Sequence, residues 1–193
     1  YSPFPPELHD RPVCIEIGCG KGDFICETAA KNKDKLYYAI ERVDSVVIIA
    51  LEKRAAMLEK DPTLPDNVRF IIGNAANTPL WFPEHSIETI YINFCDPWPK
   101  KGHYKRRLTY RAFLSIYSSL LVKGGQLRLK TDNEGLFAFT LEELAETPFR
   151  VTFKTENLHA TGPAPDNVMT EYEKRFYSQG MPIFALTAEN MIE

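Results

Sequence analysis

The feature that most restricts the fold is a short apolar run, Val13-Cys-Ile-Glu-Ile17. It empties into Gly18-Cys-Gly20-Lys-Gly22 and then into a helical stripe of Phe24, Ile25, Thr28 and Ala29. A strand that turns through glycines into a helix opens a βαβ unit, since period 2 gives way to period 3.6 across the turn. The alternation continues. Strand-like runs fall at 36–40, 68–72 and 86–93, and later at 126–130, 149–153 and 183–187. Helical patterns cover about 45–59, 110–121 and 134–146. Gly124-Gly125 is expected to end the second of these as a left-handed helix cap. The pattern predicts an α/β fold of Rossmann type: seven strands, mostly parallel, an antiparallel final strand, and helices on both faces. One domain of 193 residues suffices for such a core. The chain does not begin with Met, so residues 1–12 read as a truncated lead-in.

Several classes fall away on composition. No apolar run approaches the roughly 20 residues that span a bilayer. The opening YSPFPPELHD lacks the basic start and apolar segment of a signal peptide, which predicts a cytoplasmic protein with no membrane partner. Cys14, Cys19, Cys26 and Cys95 form no CxxC pair and suit reduced thiols. His9, His85, His103 and His159 have no ligand spacing, so no metal is expected. Nothing separates a monomer from a homodimer.

The net charge of −3 conceals an asymmetry. From Pro97 to Thr131 there are nine Lys or Arg and no Asp or Glu, leaving 14 basic against 26 acidic groups, a net of −12, elsewhere. A lone basic segment in an acidic chain is the footprint of a polyanion partner. Lys100, Lys101, Lys105, Arg106, Arg107 and Arg111 are read as its phosphate-binding element, supported by Arg128 and Lys130.

In open α/β sheets ligands bind beyond the carboxyl ends of the strands, and the polar candidates fall there. Gly18, Gly20 and Gly22 let the backbone approach a ligand closely. A glycine turn alone also suits dinucleotide enzymes. Here, however, Asp23 occupies the helix start, where a pyrophosphate would want the positive dipole end for itself. A nucleoside cofactor with a cationic end and no phosphate, S-adenosylmethionine, fits better. Glu16 is suited to its charged end, Glu41 to its ribose hydroxyls, and Asn74 with Ala75 to its adenine edge. The bland alternatives are a capped turn at Glu16 and a plain turn at Gly73-Asn74.

Asn93-Phe-Cys-Asp96-Pro-Trp98-Pro-Lys-Lys101 closes the fourth strand, its prolines fixing φ so that side chains are held in place. Trp98 either stacks on a target base or packs in the core. With the run to Arg107, this segment resembles the signature of the bacterial tRNA (guanine-N7-)-methyltransferases. Thr131-Asp132-Asn133 and Thr170-Glu171-Tyr172-Glu173 match two further motifs, and the similarity runs from about Val13 to Phe184. Gly102 departs from the basic residue expected in that run.

The resemblance implies a class I methyltransferase fold and S-adenosylmethionine as cofactor, bound by Glu16, Glu41, Asn74 and Asp96. Asp96 would also stand at the catalytic centre. Lys100, Asp132, Thr170, Glu171, Tyr172 and Glu173 would contact substrate, and the stretch through His103, Lys105, Arg106 and Arg107 would touch RNA. The enzyme would methylate N7 of a guanine in the tRNA variable loop. Thr170-x-x-Glu173 is equally a helix capping box, and both readings can hold together. A nicotinamide-dependent dehydrogenase has no use for Asp-Pro-Trp-Pro. An RNA-binding module with an empty cofactor site would have lost Gly18, Gly20, Glu41 or Asp96, and all four are present.

Overall fold

The computed structural model describes residues 11–165 and 167–192, so most of the lead-in, with His9, lies outside the described residues. Seven strands build one sheet: β1 (Val13–Ile17), β2 (Leu36–Glu41), β3 (Val68–Ile72), β4 (Ile87–Asn93), β5 (Leu121–Thr131), β6 (Phe149–Thr155) and β7 (Phe184–Asn190). Their order is β3-β2-β1-β4-β5-β7-β6. The pairs β1–β2, β1–β4, β2–β3 and β4–β5 are parallel, and β7 runs antiparallel to both β5 and β6. The expected mostly parallel sheet is present.

Among the described residues five α-helices complete it: α1 (Asp23–Lys31), α2 (Asp44–Lys60), α3 (Arg111–Leu120), α4 (Glu134–Ala145) and α5 (Glu171–Ser178). Side-chain alternation along the central strands feeds two cores. Val13, Ile15, Ile17, Leu36, Tyr38 and Ile40 pack with Leu114, Tyr117 and Leu120 of α3 and with Phe137 and Leu144 of α4. Cys14, Tyr37 and Ala39 pack on the other face against Ile25, Cys26 and Ala29 of α1. The three cysteines 14, 19 and 26 are buried, and desolvation pushes the Cys26 thiol up to about 11 and the Cys14 thiol up to about 12.

Gly124 and Gly125 do not cap α3. The helix stops at Leu120, and β5 starts immediately at Leu121. The glycines form a bulge instead, because β4 pairs Ile87 with Leu121 and then Thr89 with Gln126. A Cβ on Gly125 would stand 2.9 Å from the Val122 carbonyl oxygen and 3.1 Å from that of Glu88, so only glycine admits this backbone approach. No helix among the described residues is long and apolar enough to cross a membrane.

Strand order reverses between β1 and β4, which opens a crevice at their carboxyl ends. The glycine turn leaves β1 there, and the Asp96 loop leaves β4 beside it.

Candidate active site

Gly18 and Gly20 adopt φ values of +77° and +53°, and a Cβ on either would meet nothing within 4 Å. Glycine is needed there for backbone geometry alone, and the space above is open. Gly22 differs. Its φ is +76°, it is buried, and a Cβ would stand 2.9 Å from the Ala50 Cβ. That glycine therefore serves the close packing of α1 on α2.

Glu16 is the only charged residue of β1 and is 2% exposed. Its Oε1 accepts from Asn93 Nδ2 at 2.9 Å, whereas Oε2 is buried with no hydrogen-bond partner among the described residues. Burial is the main cause that raises this carboxyl to about 8, opposed by the Asn93 amide and by Lys130. Glu41, half-buried at the end of β2, accepts from the backbone N–H of Gly20 (3.2 Å), Arg42 (2.8 Å) and Val43 (3.1 Å). Its carboxylate thus fixes the glycine turn as well as facing the cavity. Asn74 is exposed and caps the short 3-10 helix Ala75–Leu80, accepting from Ala76 N–H at 2.9 Å. The turn role weighed for it from sequence is present.

Two hollows meet at this edge. One of ≈ 410 Å³ is lined by Glu16, Asp23, Phe24 and Arg175 among others. The other, ≈ 640 Å³, is lined by Glu41, Asn74, Ala75, Asp96, Trp98 and Arg106 among others. Gly18, Gly20, Phe94 and Tyr172 line both and form the partition between them. Phe94 takes φ +51° and Trp98 φ +42°, left-handed geometry that non-glycine residues adopt only when the surroundings enforce it. Arg107 is one source of that enforcement. Its Nε donates to the Pro97 carbonyl at 2.9 Å and its Nη2 to the Trp98 carbonyl at 3.3 Å.

The basic segment divides on folding. Lys100, Lys101, Lys105 and Arg106 are exposed, with Lys105 and Arg106 on the rim of the larger hollow. His103 packs edge-on to Trp98 at 5.7 Å. Three cations read from the sequence as phosphate-binding are engaged elsewhere. Arg111 forms a two-pronged pair with Glu143 at 2.9 and 3.0 Å. Arg107 braces the loop. Lys130 is buried, and its ammonium donates to Glu173 (2.5 Å), the Val168 carbonyl (2.9 Å) and Asn167 (3.2 Å). Arg128 is exposed and donates to Gln126.

Thr170 and Glu173 form the capping box in full at the start of α5. Glu173, however, is 0% exposed and faces inward. Besides Lys130 it meets His159 Nε2 at 2.8 Å and Asn167 Nδ2 at 2.7 Å. The Ala164 N–H donates to His159 Nδ1, which places the imidazole proton on Nε2, toward Glu173. Of the four motif residues, Glu171 and Tyr172 are exposed; Glu171 pairs with Lys21 of the glycine turn at 3.4 Å. Asp132 is half-buried just beyond β5, next to the β4 end, where Phe94 N–H bonds the Lys130 carbonyl at 2.8 Å. No local pattern signals the His159–Asn167–Lys130 cluster, whose members are scattered along the chain and individually ordinary.

A family model described as "putative methyltransferase" matches residues 10–186. The tRNA (guanine-N(7)-)-methyltransferase of Lysinibacillus sphaericus is 42% identical over 181 residues, 94% of this chain and 81% of that protein. Its counterpart from Brevibacillus brevis is 42% identical over 185 residues, 96% of this chain and 84% of that one. The chain belongs to this methyltransferase family. Among solved structures, the 16S rRNA methyltransferase KamB superposes with a TM-score of 0.68 at 14% identity, covering 95% of this chain and 91% of that one. That likeness concerns the fold alone. It agrees with the seven-stranded, mostly parallel sheet expected from the strand pattern.

Proposed function

We propose that the protein transfers the methyl group of S-adenosylmethionine to N7 of a guanine in the tRNA variable loop. We further propose that the whole chain works as one catalytic domain in the cytoplasm. The observation that carries the reading is the junction of the two hollows. An unpaired buried carboxylate oxygen on Glu16 stands on one side, and Asp96 with an exposed basic rim on the other.

The donor set fits the cofactor. A buried carboxylate oxygen without a partner is what a bound ammonium group satisfies, so Glu16 holds the α-amino end. Glu41 retains acceptor capacity for ribose hydroxyls, Asn74 and Ala75 face the adenine, and the open space over Gly18 and Gly20 admits the cofactor's backbone approach. When bound, the cofactor supplies an electrophilic methyl group on a sulfonium.

Guanine N7 has a free lone pair and no proton, so no general base is required. The protein's work is orientation of N7 in line with the methyl group, and stabilisation of the positive charge that the purine acquires. Asp96, in the larger hollow, serves both by accepting from the guanine N1–H and N2–H₂ edge. Asp132 supports guanine selection from the neighbouring strand end. Lys100, Lys101, Lys105 and Arg106 take the phosphates, with His103 beside them. Arg107, Thr170 and Glu173 act by holding the substrate-facing loop and helix.

Two measurements follow from this division. Because Glu16 titrates near 8 while an ammonium ligand favours the ionised form, cofactor binding at pH 7 is expected to release a proton. Affinity should rise with pH until the carboxyl is ionised in the free protein. Calorimetry in buffers of different ionisation enthalpy reads this, and Glu16→Gln should abolish the release and weaken binding by about 1.5–3 kcal/mol. For RNA, alanines at Lys101, Lys105 and Arg106 together should flatten the slope of log affinity against log salt by about two to three. A solvated face would leave that slope unchanged.

The test of the reading as a whole is methyl transfer to bulk tRNA with a labelled cofactor, followed by nucleoside analysis. Label in 7-methylguanosine supports it. Label in another nucleoside, or none, refutes it.

A further inference from the structure

The partition residue Tyr172 is 57% exposed, unusually so for an aromatic ring beside a buried charge cluster. It is nevertheless held firmly. Its ring packs nearly parallel to Phe94 (6.3 Å, 25°) and to Phe176 (6.3 Å, 28°). Of its chain neighbours, Glu173 is anchored in the buried cluster with Lys130 and His159, and Glu171 makes an exposed pair with Lys21. A ring packed against two others yet with free surface, lining the same hollow as Asp96, can receive a flat base.

Of the other aromatics lining that hollow, Phe94 stacks with Tyr172, Phe113 stacks with Tyr117, and one face of Trp98 is already taken. The Arg106 guanidinium lies 5.0 Å from the Trp98 ring centroid, and the His103 ring meets it edge-on. A base stacking on that face of Trp98 would have to displace the cation from its seat.

Resting on the guanine-N7 reading above, we propose that the target guanine stacks on Tyr172, and that the π face of this ring stabilises the cationic purine formed by methylation. In that step the N7 lone pair forms the new N–C bond. The electron pair of the breaking methyl–sulfur bond stays on sulfur, the positive charge passes to the purine, and no proton moves. A π face attracts a cation more than a neutral ring, so the contact strengthens as the reaction proceeds, which is the condition for lowering a barrier. Tyr172 is thus assigned a catalytic contribution through stacking. Asp96 acts at the base edge and Tyr172 at its face.

The experiment compares binding of guanosine monophosphate and 7-methylguanosine monophosphate to the full chain in the presence of S-adenosylhomocysteine. The wild type and Tyr172→Phe should both prefer the methylated nucleotide, by roughly fivefold to thirtyfold. Tyr172→Leu should lose most of that preference, keeping only the part the Asp96 charge supplies, and lose turnover on tRNA, with its melting temperature near that of the wild type. A preference that survives undiminished in Tyr172→Leu overturns the proposal, and one lost only in Trp98→Leu transfers the platform to Trp98. If Tyr172→Leu instead lowers affinity for S-adenosylmethionine relative to S-adenosylhomocysteine, the ring serves the sulfonium and the proposal fails. Failure of the underlying reading looks different: the wild type itself would form no 7-methylguanosine in tRNA.

Discussion

Replacing Lys130 by methionine is expected to lower the stability of the fold by about 3–5 kcal/mol, although the side chain keeps much of its volume. The reason lies in what stays behind. Glu173 is wholly buried, and the Lys130 ammonium at 2.5 Å is its strongest partner. His159 and Asn167 supply hydrogen bonds, His159 from Nε2 while its other ring nitrogen accepts from the Ala164 N–H. Without Lys130 the cluster contains an uncompensated carboxylate. Burial itself acts against the ammonium and lowers its pKa, with Glu173 opposing that shift, so the two charges stand or fall together. Scanning calorimetry should show the melting temperature fall by roughly 6–20 °C. The double variant Lys130→Met with Glu173→Gln removes both charges and should recover much of the loss, a coupling that separate contributions would not produce. A single variant that melts like the wild type would refute the buried pair. Because α5 starts at this cluster, the single variant should also blunt binding at Tyr172.

Asp96→Asn is expected to reduce turnover about 10²–10³-fold, the scale of losing one preorganised electrostatic contact in a transition state. Shape and one acceptor survive in the amide, while the charge that faces the developing purine cation is gone. Cofactor affinity should change far less, since Glu16 and Glu41 hold the cofactor from other strand ends. Single-turnover rates at saturating cofactor isolate the chemical step from the pH dependence that Glu16 brings to binding. There the wild-type profile should be flat through neutral pH, because N7 has no proton to lose. A bell-shaped profile that disappears in Asp96→Asn would reveal general-base chemistry instead.

The order of strands and helices, and which strand ends carry the polar groups, were determined by the sequence itself. Period-2 and period-3.6 patterns are local, and the rule that α/β sheets bind at their carboxyl ends then places Glu16, Glu41, Asn74 and Asp96 along one edge. The capping box at Thr170 was legible for the same reason, being a contact across three residues. Gly124-Gly125 misled because a glycine pair after a helical pattern reads as a cap. Only the β4–β5 pairing turns it into a bulge, and that pairing joins segments more than thirty residues apart. The fate of the basic run was likewise a tertiary decision. Lys130, Arg107 and Arg111 look in sequence like Lys105 and Arg106. Yet Lys130 meets Glu173 across 43 positions and Arg111 meets Glu143 across 32, whereas Lys105 and Arg106 stay exposed, Arg106 over the Trp98 ring. A charge is committed by whichever carboxylate or carbonyl folding brings within hydrogen-bond reach, and nothing in its own neighbourhood of the chain records that. The same holds for Tyr172. Its residue type is plain, but its place on the partition depends on α5 docking against the end of β4, which brings it to Phe94 from 78 residues away.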